Sequence, residues 1–228
     1  MRVTTGGRSQ HDRREFVLEY DPQAVVQPDI DWLVHLLEEA AASSVCYGPR
    51  ETLRLGWVDL IVGEADGGYL TLLEPDWTGA VPIKYVPSVT QALVHFRRQK
   101  DVADSLDLID QLAFPNIVDS GLVCTMLGTR PCGVMDRMEP EARDSGWFFG
   151  CDDRRHDHES PDELRRESLY RIACTVPGTV QFCALPAGLS ITFGGPEPVS
   201  ITMAGKPARI RPGSYLDQVR TVGRGSTS

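Results

Sequence analysis

The chain predicts an α+β fold: two small α+β units, each a mainly antiparallel sheet packed with one or two helices. Three observations lead there. Apolar residues recur mostly in short runs at period two, between Gly and Pro breaks, as half-buried strands do. Only a few stretches carry the 3.6 period of an amphipathic helix. The Pro115-Asn116 pair interrupts the chain near its middle, because the residue before a proline is pushed out of helical geometry.

The elements follow in order. Residues 1–15 are polar and Arg-rich, without periodicity, and are expected to form a disordered basic arm. The N-terminal α+β domain, 16–115, opens with a strand from Phe16 to Tyr20. Ile30, Leu33, Val34 and Leu37 then mark one helical face, with Pro28 and Asp29 at its start. Residues 52–62 alternate through Leu53, Leu55, Trp57 and Ile61, and Asp66-Gly67-Gly68 turns the chain back into Tyr69–Leu73 as a hairpin. Val81–Val86 reads as a further strand. Ser88-x-x-Gln91 is a capping box for a long helix carrying Val89, Leu93, Phe96, Val102, Leu106 and Ile109.

The second α+β domain, 116–211, begins with strands Leu122–Leu127, Cys132–Met138 and Gly146–Gly150. Ser160-Pro161-Asp162-Glu163 predicts a capped helix over 161–173, with Ser as N-cap, Pro in the first turn and two acids at the positive dipole end. Val180–Ala184, Leu189–Phe193, Val199–Met203 and Ala208–Ile210 read as strands. Residues 212–228 are expected to be a second disordered basic tail. The indoles of Trp32, Trp57 and Trp77 are expected in the core or between the domains.

Composition narrows the function. A chain of 228 residues that is 41% hydrophobic can hold one large core or two modest ones. No apolar run approaches the roughly 18 residues of a membrane helix, and the first ten residues hold no apolar stretch, so a cytoplasmic protein without membrane contact is expected. Six cysteines sit mostly among apolar neighbours and no C-x-x-C occurs, which favours structural thiols. The net charge of −9 is uneven: residues 1–14 carry +3 and 205–228 carry +4, leaving −16 on the body between. Such a body repels nucleic acid phosphate and attracts a basic protein partner. No specific nucleic acid binding is expected, since the basic residues sit on the ends without interleaved aromatics.

The densest polar chemistry lies in Asp152, Asp153, His156, Asp157, His158 and Glu159. A metal site needs ligands that converge, and His156-x-His158 would diverge on a strand or a helix, so only a tight loop could join them. Arg154 and Arg155 oppose a cation further. A metal-dependent hydrolase built on Asp152–Glu159 therefore stands as a minor alternative, and no metal or cofactor is expected. Cys151 beside two histidines could be an activated thiolate, but Asp152 and Asp153 would raise its pKa. No Gly-x-Ser-x-Gly elbow and no P-loop occur. Trp147, Phe148 and Phe149 cannot all face one core, because strand side chains alternate. One face of the trio is expected to meet a helix or second layer, or else to serve as an exposed interface anchor.

The segment Asp144-Ser145-Gly146-Trp147 with Phe149 and Gly150, the acidic pair Asp152-Asp153, the turn residues Leu169-Tyr170, and Pro186, Gly188, Ser190 and Phe193 together resemble the Imm33 family over roughly residues 117–195. These are small bacterial domains assigned to immunity against delivered toxins. Phe148 replaces a usual polar residue, one position is missing between Tyr170 and Pro177, and the Asn-rich turn is absent. The resemblance implies a non-catalytic immunity protein that binds a cognate toxin. Charge adds the chemistry: residues 136–167 hold eleven acidic and six basic side chains, suited to a basic toxin domain. The expected contacts are Asp144, Trp147, Asp152, Asp153, His156, Asp157 and Glu159. An adaptor or scaffold docking through its N-terminal unit is the alternative.

Overall fold

The computed structural model describes residues 1–6, 14–43, 47–153, 155–195 and 198–219. Most of the basic arm, Cys46, Arg154 and residues 220–228 lie outside them, and with these the expectation of disordered ends there. The fold is α+β, with sheets that are antiparallel in all but one pairing of named strands. The chain divides into Met1–Arg97 and Arg98–Ser228, earlier than the expected Pro115-Asn116 boundary and inside a helix. Among the described residues, no helix is long and apolar enough to cross a membrane.

In the first unit, β1 (Arg2–Thr4) pairs antiparallel with β2 (Val17–Glu19), so residues 2–4 of the expected arm are a strand. Helix α1 (Gln27–Ala42) buries Ile30, Leu33 and Leu37, the spacing that its sequence announced. β3 (Thr52–Leu55) and β4 (Val58–Glu64) form a hairpin that the alternation alone had fused into one strand. Gly56, at φ 59°, supplies the positive φ that a two-residue hairpin turn demands of its first residue. β5 (Leu70–Pro75) pairs with β4, and only Tyr85–Val86 of the expected 81–86 strand joins the sheet, as β6.

Helix α2 (Thr90–Ser105) starts differently from a capping box. Ser88 Oγ accepts from Thr90 N, and the buried carboxylate of Glu74 accepts from Gln91 N at 3.2 Å and Ala92 N at 2.7 Å. An anion on the orphan amides of a helix start is favourable. Burial nevertheless pushes the Glu74 carboxyl above its ordinary value. The predicted apolar stripe ends early: Ser105 closes the helix, and Ile109 lies in a short 3-10 turn, exposed. Trp57 is core and Trp77 stacks on it, whereas Trp32 is 41% exposed and lies over Phe96.

The second unit is built on a seven-stranded sheet. Its strands are β7 (Ser120–Cys124), β8 (Cys132–Arg137), β9 (Asp144–Cys151), β10 (Leu164–Ser168), β11 (Leu189–Phe193), β12 (Pro198–Met203) and β13 (Lys206–Pro207). Their spatial order is β10-β7-β9-β8-β11-β12-β13, with β7 and β9 parallel. The expected helix over 161–173 is mostly strand. Pro161–Glu163 makes one 3-10 turn, β10 pairs along β7, and α3 covers only Leu169–Thr175. Edge pairing outweighs the local helix signal at 164–168, and Ser168, not Ser160, caps the helix by accepting from Arg171 N. The expected strand at Val180–Ala184 is instead part of a 3-10 segment, Pro177–Phe182, and Ala208–Ile210 falls beyond β13.

The core of this unit lies on the side of β9 that carries Trp147 and Phe149, both fully buried. Gly121 leaves room there: a Cβ at that position would meet Ile172 of α3 at 3.0 Å and Phe149 at 3.1 Å. Residues 212–219 of the expected disordered tail are among the described residues and pack on this unit. Residues 215–219 are helical, Leu216 is fully buried, and its amide donates to Ser105 Oγ.

Candidate functional site

Strand order creates the site. β9 and β10 flank β7 on opposite sides, so the connection 152–163 must pass over the C-terminal end of β7, where Cys124 sits. Because β7 and β9 run parallel, Cys124 and Cys151 end together, and Cys151 N donates to Cys124 Sγ at 3.2 Å.

Short local bonds shape the connection. Asp153 Oδ1 accepts from Arg155 N at 3.0 Å and Asp157 Oδ1 from Glu159 N at 2.9 Å, two Asx turns in succession. Asp152 N donates to Pro131 O, and Thr125 binds Glu163 twice, through N to the carbonyl and through Oγ1 to Oε2. Gly133 of β8 lies against the start of the loop. A Cβ there would stand 2.5 Å from Asp152 Cα.

The Asx turns sort the side chains. Asp152, Asp157, Glu159 and Asp162 are exposed. Asp153 is partly covered and holds Arg155 through both nitrogens at 3.2 Å, and the hydrogen bonds from Arg155 pull its carboxyl down to about 2. His156 and His158 turn inward, their ring centroids 5.0 Å apart. The His156 side chain is 10% exposed, its Nε2 lies 3.8 Å from the Glu163 carboxylate, and that nitrogen has no hydrogen-bond partner. His158 Nε2 is 3.4 Å from Cys151 Sγ, and its ring packs on Phe148. Burial lowers His158 and raises the Cys151 thiol. One ligand-capable atom from each of Cys124, Cys151, His156 and His158 falls within 4.8 Å of the others.

Three expectations about the site change. Trp147 offers no surface: it is fully buried, Nε1 donates to Cys183 O at 2.9 Å, and Arg137 stacks 5.2 Å from its ring. His156 faces inward, its side chain 10% exposed. The two histidines do converge, because the connection is the tight loop that their spacing required. Asp144 is committed to its own unit, where Oδ1 accepts from Gly146 N at 2.8 Å and Oδ2 pairs with Arg166. Cys124, inside the expected strand Leu122–Leu127, reads in the sequence as a structural thiol, and only the observed end of β7 at Cys124 brings it to the loop.

No curated protein and no solved structure gives a significant match to the chain. The family model of the Imm33-like domain matches residues 98–202. That span contains the Asp144–Gly150 motif, the acidic loop and α3, and it also takes in the end of α2, ahead of the 117–195 segment that the motifs alone had indicated. Residues 98–202, just under half of the chain, are thus similar to the Imm33-like domain.

Proposed function

We propose that this protein neutralises a basic toxin domain by binding it, without catalysis, through the acidic edge formed by Asp152, Asp153, Asp157, Glu159 and Asp162. The observation that carries this is the sorting of the 152–163 loop, which leaves Asp152, Asp157, Glu159 and Asp162 exposed and Asp153 partly covered beside Arg155, while its imidazoles turn in. The carboxylates sit on a loop tied down at both ends, a pre-organised rim that costs little ordering on association. Exposed charges of one sign speed encounter and select the oppositely charged partner. The Imm33-like match supports a protein partner in general, and the net −5 over residues 136–167 supports a basic one. Trp147 and His156 have no part in the contact surface, and Asp144 contributes indirectly by holding the start of β9.

The test replaces Asp152, Asp153 and Asp157 together by Lys and measures binding to a verified partner at two salt concentrations. Association slows at least tenfold and its salt dependence weakens. Unchanged affinity would remove this edge from the interface and sink the proposal.

A further inference from the structure

We propose that Cys124, Cys151, His156 and His158 form a four-ligand site for a zinc-class divalent cation, which locks the 152–163 loop over the end of β7. This is independent of any toxin partner. The donor set comes from three separate places, the ends of β7 and β9 and the loop between β9 and β10, and the sheet order alone brings them together.

Geometry supports the assignment first. Tetrahedral zinc, with Zn–S of about 2.3 Å and Zn–N of about 2.0 Å, sets ligand-to-ligand separations of about 3.3–3.8 Å. Cys151 Sγ and His158 Nε2 already stand at 3.4 Å, and all four ligand atoms lie within 4.8 Å of one another. Small side-chain adjustments close the remainder. Chemistry supports it second. Two thiolates and two neutral imidazoles are the donors that zinc prefers over magnesium or calcium, and two thiolates cancel the ion's double charge, so no net charge is buried.

The surroundings supply a third support. His156 Nε2 is buried without a hydrogen-bond partner, an unusual state for a polar atom in a folded protein. Cys132, the nearest other thiol on the sheet, donates instead to Val134 O at 3.4 Å and is not a ligand. Four protein ligands leave no open position, so the site is structural: on binding, two thiol protons leave to solvent and the cation takes their place. The outward carboxylates of the loop then stand on a fixed base.

The experiment uses the full chain without a histidine tag, purified from zinc-supplemented medium and desalted. Elemental analysis is expected to give about one zinc per chain, surviving desalting. Replacement by Co²⁺ is expected to give thiolate charge-transfer and tetrahedral d–d absorption. Cys124→Ala and His156→Ala each weaken zinc binding at least about hundredfold against a chromogenic chelator, while Cys132→Ala retains it. Because a cysteine variant can fail to fold, chelation of the wild-type chain provides a second readout: metal removal speeds amide exchange across 152–163 and leaves β11–β12 unchanged. Zinc below a tenth of an equivalent, with no Co²⁺ spectrum from the wild-type chain, overturns the proposal; loss of metal in Cys132→Ala with retention in Cys124→Ala overturns the ligand set.

Discussion

Trp147 Nε1 donates a 2.9 Å hydrogen bond to the backbone carbonyl of Cys183, joining the interior strand β9 to the residue that ends the 3-10 segment Pro177–Phe182. This bond makes the most conspicuous aromatic of the Asp-Ser-Gly-Trp motif a part of the core. Trp147→Phe keeps a ring in place but leaves a buried carbonyl without its donor, a loss of about 1–3 kcal/mol. The denaturant midpoint of the full chain is expected to fall with an unchanged slope, whereas Trp147→Ala, which also opens a cavity, costs about 3–5 kcal/mol.

Gly133 tests how closely β8 supports the acidic loop. A Cβ there would meet the Asp152 backbone at 2.5 Å and Cys151 O at 2.7 Å, and neither can yield without moving the loop. Gly133→Ala is expected to destabilise the protein by roughly 1–3 kcal/mol in thermal unfolding. Gly178→Ala, where a Cβ meets nothing within 4 Å, is expected to be close to neutral.

Glu74 sets a pH dependence in the first unit. Its carboxyl is raised above 4.5 chiefly by burial, so the folded chain holds this proton more tightly than the unfolded chain does. Its contribution to stability is fully present below the unfolded pKa and is lost as pH rises through the folded value. The stability of wild type relative to Glu74→Gln is therefore expected to decline as pH rises above the ordinary value of 4.5. A flat difference would mean that the amides of Gln91 and Ala92 offset burial completely.

Asp153 behaves in the opposite sense. The Arg155 guanidinium and amide hold its carboxyl at about 2, so the acidic edge keeps this charge well into acid. A carboxyl-resolved NMR titration is expected to show that midpoint, and Arg155→Ala is expected to move it up toward the ordinary carboxylate range.

Much of the architecture was legible because it rests on local pattern. The spacing of Ile30, Leu33 and Leu37 is the buried face of α1, and the alternation around Leu189–Phe193 is β11. Sequence reading failed where distant pairing outweighed local preference. Residues 164–168 carry a capped helix signal, yet they are a strand, because β7 offers an open edge and α3 starts afresh at Leu169. Gly56 was also hidden: alternation continues through a hairpin turn, and only the backbone angle shows the reversal.

The amino-acid sequence by itself determined the α+β class, the acidic character of the body, the Imm33-like segment and the concentration of carboxylates and imidazoles between Asp152 and Glu159. Only the tertiary structure decided which of these face solvent and which face inward. The physical reason is the strand order β10-β7-β9: it carries the loop across the end of β7 and so sets two histidines against two cysteines, one of them distant in sequence, while the charged side chains keep their hydration outside.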